Sequence, residues 1–84
     1  MKLRFLPLAE EDVLAISEPL FSRVSRRLRI LTQFPEMGAV MPKPFSDMRS
    51  TVVDNFRIVY RLLPDGVIEV AYVRDCRRRL PPRS

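Results

Sequence analysis

The chain has 84 residues and a formal net charge of +5, from 15 lysines and arginines against 10 acidic residues, and 46% of its residues are hydrophobic. This length excludes several domains of ordinary size, and this composition excludes a disordered chain. The single cysteine, Cys76, excludes an internal disulfide and fits a reducing compartment. No apolar run is long enough to cross a membrane. We therefore expect one cytoplasmic domain over residues 1–84, whose basic surface attracts nucleic acid or an acidic protein.

A short strand and a short helix are predicted first. Residues Lys2–Leu6 alternate between apolar and basic side chains, which is the period of a strand, and Pro7 ends it. Acidic residues then stand where the first turn of a helix favours negative charge. The apolar stripe of this helix consists of Ala9, Val13 and Ile16. Pro19 limits the helix to about two or three turns.

A longer helix and a loop follow. The apolar stripe of this second helix consists of Leu20, Val24, Leu28 and Leu31, and its other positions carry Arg23, Arg26, Arg27 and Arg29. The simplest interpretation of these arginines is a solvated helix face. Pro35 ends the helix, and Gly38 lets the chain turn. The segment Ala39–Asp47 contains two prolines and no clean period, so we expect a loop there.

Three strands are predicted in the second half of the chain. They are Arg49–Val53, Phe56–Leu63 and Val67–Val73, and a tight turn joins the last two as an antiparallel hairpin. In the last strand, alternation places Val70 and Tyr72 on one face and Ala71 and Val73 on the other. The order of elements predicts an α+β fold with an N-terminal strand, a two-helix hairpin and a three-stranded antiparallel meander. Residues 74–84 form a basic tail.

Three motifs in this order resemble the RelE/ParE family of toxins from bacterial type II toxin–antitoxin systems. The first is the helix stop Phe34-Pro35-Glu36-Met37-Gly38, the second is Arg49 at the start of a strand, and the third is the strand Phe56-Arg57-Ile58-Val59-Tyr60-Arg61-Leu62. The resemblance covers almost the whole chain and implies the same α+β fold. The chain departs from the family in its shorter helical hairpin and in its tail, where either Arg74 or Arg78 aligns with the family's basic position.

The resemblance implies a toxin with one of two targets. ParE-like members bind DNA gyrase, trap its complex with cleaved DNA and carry no obvious catalytic set. We favour this hypothesis because the chain has no histidine and only two lysines. Its target-binding residues would be Arg74, Arg77, Arg78 and Arg79.

The alternative is a RelE-like endonuclease that cuts mRNA on the ribosome. Its catalytic residues would be Arg49, Arg57, Arg61, Tyr72 and Arg74, because phosphate cleavage needs cations and a proton donor or acceptor. Tyr60 shares a face with three apolar residues, so we expect it in the core. A third hypothesis is a degenerate member that binds only its antitoxin.

The family also implies a partner, a cognate acidic antitoxin. Apolar side chains on both strand faces cannot all be covered by two short helices, so we expect Val59 and Leu63 to be exposed and to bind the antitoxin. The positive net charge would steer an acidic segment towards the chain. With no histidine and one cysteine, the sequence predicts no metal site, and it indicates no cofactor.

Overall fold

A computed structural model of the chain describes residues 1–77, in which two helices pack on one sheet. In chain order the elements are β1 (Lys2–Phe5), α1 (Pro7–Leu14), α2 (Leu20–Gln33), β2 (Ala39–Val40), β3 (Arg49–Val53), β4 (Phe56–Leu62) and β5 (Val67–Asp75). The sheet has five strands in the order β1-β5-β4-β3-β2. The predicted α+β class and the antiparallel meander of β3, β4 and β5 are confirmed.

The two outer strands of the sheet are short. β1 runs parallel to β5, with Lys2 opposite Val67 and Phe5 opposite Val70. β2 lies in the segment that the sequence predicts as a loop, and its two residues pair with the first two residues of β3. The expectation of an unpaired loop is therefore wrong at its start. The pairing stops early because Pro42 and Pro44 cannot donate to a ladder.

The main core lies between the helices and one face of the sheet. The helices contribute Ala9, Val24, Leu28 and Leu31, all buried at the predicted stripe positions. The sheet contributes Val53, Ile58, Tyr60, Ile68, Val70 and Val73. Burial of such side chains stabilises the fold by roughly 1.5–3 kcal/mol each before the cost of ordering them.

A second apolar cluster covers part of the opposite face of the sheet, which we call the outer face. Val59 and Ala71 are its buried sheet residues, and Met41 and Met48 close over them from the segment between β2 and β3. Val59 has no solvent exposure, so the expectation of an exposed Val59 is wrong. The helices do leave this face uncovered, but the segment between β2 and β3 folds back over it.

A β-bulge at Ala71 changes which side chains of β5 point outward. Val59 lies opposite Tyr72 and Tyr60 lies opposite Val70, so no residue of β4 is opposite Ala71. One extra residue shifts the alternation by one position. The sequence-based assignment of Tyr72 to the face of Val70 is therefore wrong. The bulge turns Val73 into the main core and places Tyr72 on the outer face.

Candidate functional site

Two arginines lie directly opposite each other on the outer face, next to the bulge. Arg57 on β4 pairs with Arg74 on β5, and Val52 on β3 completes the row. Arg57 has no hydrogen bond or ion pair with any of residues 1–77. Arg74 has one ion-pair contact, at 3.6 Å from its Nε to Oδ2 of Asp12. The pair is thus a largely uncompensated concentration of positive charge.

The guanidinium groups of this pair are partly withdrawn from water. The Nε atoms of Arg57 and Arg74 are both buried, and neither finds a hydrogen-bond acceptor within the described part of the chain. Like charges directly opposite on neighbouring strands destabilise a sheet, and a buried unsatisfied donor costs about 1–3 kcal/mol. A bound anion such as a phosphate would offset the like charges, because it accepts from arginine forks in bidentate geometry.

Tyr72 is the third member of this cluster. The Cζ atom of Arg74 lies 5.9 Å from the centre of the Tyr72 ring, at the outer limit of a cation–π contact. Tyr72 is half-buried and packs against the second apolar cluster. The structure therefore brings together three of the five residues predicted for an endonuclease: Arg57, Tyr72 and Arg74. We call these three the Arg57–Arg74 cluster.

The other two predicted catalytic arginines are engaged in internal contacts. Arg49 Nη1 donates to the carbonyl oxygens of Gly38 at 2.9 Å and Glu36 at 3.2 Å, so it holds the chain after α2. Arg61 lies on the outer face, and its Nη2 donates to Oε1 of Glu69 at 2.6 Å. Its Nη1 lies 3.9 Å from Oδ2 of Asp47. These contacts give both arginines structural roles.

Glu69 on β5 links the two neighbouring strands, β1 and β4, and was not singled out by the sequence. Its carboxylate is buried and accepts from Arg4 at 2.9 Å as well as from Arg61. The hydrogen bond from Arg4 and that from Arg61 lower the pKa of Glu69, although burial opposes the shift. A lone acidic residue between apolar neighbours in β5 is the signal that could have indicated a paired carboxylate.

Tyr60 is fully buried, so the prediction that it belongs to the core is confirmed. Its hydroxyl accepts from the Gly38 amide at 2.9 Å and donates to the Pro35 carbonyl at 2.8 Å. Burial raises the pKa of Tyr60. A Cβ on Gly38 would lie 2.6 Å from this hydroxyl and 2.8 Å from the Ser50 carbonyl. Gly38 therefore serves close packing, and Tyr60 acts as an anchor for the chain after α2.

The remaining predicted residues lie at the end of the chain and after β4. Arg77 donates to Asp75 from Nη2 at 2.7 Å and Nε at 3.0 Å, and these bonds hold the pKa of Asp75 well below its ordinary value. Arg78 and Arg79 lie outside the described residues. Leu63 follows β4 and is half-buried, so part of its side chain remains accessible.

Two features are absent from the described part of the chain. Among residues 1–77, no group of three histidine, cysteine, aspartate or glutamate side chains is placed to hold a metal ion. Within the same range, no helix is both long enough and apolar enough to span a membrane.

Solved structures of toxins have the same fold as this chain. The E. coli RelBE toxin–antitoxin complex superimposes with a TM-score of 0.76 at 17% identity, covering 88% of this chain and 94% of that one. The RelBE2 complex of Mycobacterium tuberculosis gives 0.79 at 17% identity, covering 88% and 95%. The isolated E. coli RelE toxin gives 0.76 at 17% identity, covering 88% and 82%. At this identity the likeness concerns the fold alone.

A family model provides the sequence-level assignment. No curated protein matches the chain. The model for the ParE toxin of the parDE type II toxin–antitoxin system matches residues 3–80, almost the whole length. The match includes the helices, the meander and the Arg57–Arg74 cluster. This chain therefore belongs to the ParE toxin family of type II toxin–antitoxin systems.

Proposed function

We propose that this chain is a ParE-like toxin that inhibits DNA gyrase and is neutralised by a cognate antitoxin. The observation that carries the proposal is the ParE family match over residues 3–80. The scarcity of free groups that could transfer protons also supports the gyrase proposal. The chain has no histidine, Tyr60 is buried and engaged at both hydrogen-bonding positions, and Asp12 already accepts from the amide of Val73 at 3.2 Å. A protein that acts by binding requires none of these groups to transfer protons.

In this proposal the Arg57–Arg74 cluster contacts the DNA backbone in the gyrase complex. A phosphate bound to the exposed parts of the two guanidinium groups would offset their like charges. The ring of Tyr72 offers a stacking surface beside that phosphate. Arg78 and Arg79 follow Arg77 in the sequence, and their positive charge strengthens attraction to DNA.

The second candidate is a RelE-like ribosome-dependent endonuclease, and the Arg57–Arg74 cluster is the observation that favours it. Two arginines opposite each other on neighbouring strands could stabilise the extra negative charge of a pentacoordinate phosphate. The Tyr72 hydroxyl would then have to supply or accept the proton, since no histidine exists in the chain. The two candidates share the anion site and differ in whether the Tyr72 hydroxyl is essential.

The test is a gyrase supercoiling and DNA-cleavage assay with the purified chain and three variants. Arg57→Gln removes half of the arginine pair. A truncation after Arg77 removes residues 78–84 and keeps the contacts of Asp75 with Arg77 and of Asn55 with Cys76. Arg29→Gln is the matched control, because Arg29 is an exposed arginine of α2 whose side chain has no hydrogen bond or ion pair with residues 1–77.

We expect the intact chain and Arg29→Gln to inhibit supercoiling equally and to accumulate cleaved DNA. Arg57→Gln should weaken inhibition about tenfold or more, as the loss of a charge-assisted phosphate contact predicts. The truncation after Arg77 should also weaken inhibition of supercoiling. If folded chain at micromolar concentration leaves gyrase unaffected, the gyrase proposal is wrong. Cleavage of mRNA on programmed ribosomes that Tyr72→Phe abolishes would then establish the second candidate.

A further inference from the structure

The edge of β5 that faces away from β4 changes its partner partway along the strand. β1 pairs with β5 only as far as Val70, and just beyond β1 the Leu6 amide donates to the Val70 carbonyl at 3.0 Å. Pro7 then begins α1, so no strand in residues 1–77 lies on this side of residues 71–75. Backbone groups on an open strand edge need another hydrogen-bond partner.

The helix α1 supplies such a partner through the carboxylate of Asp12. Its Oδ2 accepts from the Val73 amide at 3.2 Å, on the side of β5 where a neighbouring strand would otherwise lie. The same oxygen lies 3.6 Å from Nε of Arg74. The side chains of Asp12 and Arg74 are only 19% and 17% exposed, so both contacts lie largely out of water. One oxygen atom therefore connects α1 to two successive residues of β5.

These contacts lie directly after the β-bulge at Ala71. A bulge leaves one residue without a partner and locally disrupts the ladder. The next residues of β5 include the two that belong to the Arg57–Arg74 cluster, Tyr72 and Arg74. The amide that Asp12 binds belongs to Val73, which stands between them. Asp12 thus holds this stretch in the register that turns Val73 into the core and Tyr72 outward.

Arg74 has few other restraints. Besides the Asp12 contact, the structure shows the Tyr72 ring, whose centre lies 5.9 Å from Cζ of Arg74. Arg57 lies directly opposite and repels it. Ordering a long arginine side chain also costs conformational entropy. Because Asp12 lies at Nε, it restrains the stem of Arg74 and leaves the terminal nitrogens of the guanidinium group available to an anion.

We propose that Asp12 is a positioning residue of the Arg57–Arg74 cluster, which holds Arg74 beside Arg57 and fixes the register of β5 after the bulge. The inference rests on the proposed function only in treating the cluster as the anion-binding site. A purely electrostatic account predicts the opposite effect. In that account a carboxylate near the two arginines lowers the positive potential, so its removal would strengthen anion binding.

The test compares variants at two neighbouring positions of α1 in the full-length chain. Asp12→Ala removes both contacts. Asp12→Asn removes the charge but keeps an oxygen that can accept from the Val73 amide, and it serves as the test variant if Asp12→Ala does not fold. Glu11→Ala is the matched control, because Glu11 is exposed and its side chain has no hydrogen bond or ion pair with residues 1–77. All three substitutions raise the net charge equally, and circular dichroism verifies folding.

The first readout is the NMR signal of the Arg74 Nε–H group in chain that carries isotope-labelled arginine. The signal is assigned as the one that Arg74→Gln removes, and it should be sharp in the parent chain because this Nε is buried. We expect it to stay sharp in Glu11→Ala, to weaken in Asp12→Asn and to broaden or disappear in Asp12→Ala. Spectra recorded well below the unfolding midpoint separate this effect from a general loss of stability.

The second readout is the affinity for inorganic phosphate, titrated against sodium chloride of equal ionic strength and followed by the Nε–H signal of Arg57. Asp12→Ala should raise the apparent Kd about tenfold and Asp12→Asn about threefold, while Glu11→Ala should stay within about twofold. In a chain that already carries Arg74→Gln, Asp12→Ala should change the Kd by less than about twofold, because Asp12 acts through Arg74.

Three results would overturn the inference. The first is an Arg74 signal that both Asp12 variants leave unchanged. The second is phosphate affinity that rises in the Asp12 variants, as the electrostatic account predicts. The third is an equal loss of affinity from Asp12→Ala with and without Arg74→Gln, which would show a general structural role. If the Arg74 signal depends on Asp12 but the parent chain affects gyrase in no assay, the inference stands and the gyrase proposal is wrong.

Discussion

Replacing Tyr60 with phenylalanine should destabilise the chain far more than the loss of one oxygen suggests. The Tyr60 hydroxyl accepts from the Gly38 amide and donates to the Pro35 carbonyl, and no other contact in residues 1–77 is shown to replace either bond. Gly38 is buried and Pro35 is half-buried. The variant would therefore leave a buried donor without an acceptor and a partly buried acceptor without a donor.

The magnitude follows from the burial of those two backbone groups. An unsatisfied buried polar group costs about 1–3 kcal/mol, and the half-buried Pro35 carbonyl can recover part of its loss from water. We therefore expect Tyr60→Phe to lower the free energy of unfolding by about 2–3 kcal/mol. A chain of this length has a total of only about 4–13 kcal/mol. The midpoint of thermal unfolding should fall by roughly 10–20 °C.

Urea unfolding followed by circular dichroism measures this change directly. The slope with urea should not change, since the same surface is exposed on unfolding. Tyr72→Phe is the matched control, because the Tyr72 hydroxyl has no hydrogen bond within residues 1–77, and it should change stability by less than about 0.5 kcal/mol. A loss below about 0.5 kcal/mol in Tyr60→Phe would refute the anchor role of this tyrosine.

Three other changes test separate parts of the structure. Arg57→Gln should raise the free energy of unfolding by about 0.5–1 kcal/mol at low salt, because it removes a like-charge pair. Phosphate should raise the thermal midpoint of the parent chain but not of this variant. Equal responses of the two chains to phosphate would contradict an anion site. Glu69→Gln should lower the free energy of unfolding by about 1–2 kcal/mol at pH 7. Because folding lowers the pKa of Glu69, its contribution is present above the unfolded pKa of about 4.3 and is lost as pH falls through the folded value. A difference between parent and variant that does not shrink as pH falls below about 4, by urea unfolding, would refute the ion-pair account. Gly66→Ala should lower the free energy of unfolding by about 1 kcal/mol, because Gly66 has φ +81°, which residues with a Cβ rarely adopt. No atom lies within 4 Å of an added Cβ, so backbone strain alone sets this cost. A cost near zero in the same unfolding assay would contradict this account.

Local patterns in the sequence were sufficient for the main elements. The stripe ending at Leu31, the proline at 35 and the turn at Gly66 predicted α2 and the meander to within two residues. The prediction that the tail begins at residue 74 is wrong, because Arg74 and Asp75 pair with Arg57 and Phe56 and extend β5. These signals are local because a helix or a hairpin satisfies most of its backbone hydrogen bonds within itself.

The candidate site could be predicted only in part, because its assembly depends on contacts between distant segments. Alternation cannot reveal the bulge, since Val70 through Val73 are all apolar or aromatic and suit either face. The covering of Val59 by Met41 and Met48 has no local signature either. The arginines at 49 and 61 could not be separated from those of the cluster until their carbonyl and carboxylate acceptors were known.

The bulge at Ala71 determines which side chains of β5 face the helices and which face outward. Before it, substitutions at Ile68 and Val70 are constrained by the packing of the helices. After it, Val73 lies in the main core and positions 72 and 74 on the outer face, so under the proposed function substitutions at 72 and 74 would alter contact with the target while the core stays intact. Deleting one residue at this point would turn position 74 towards the helices and bury its arginine.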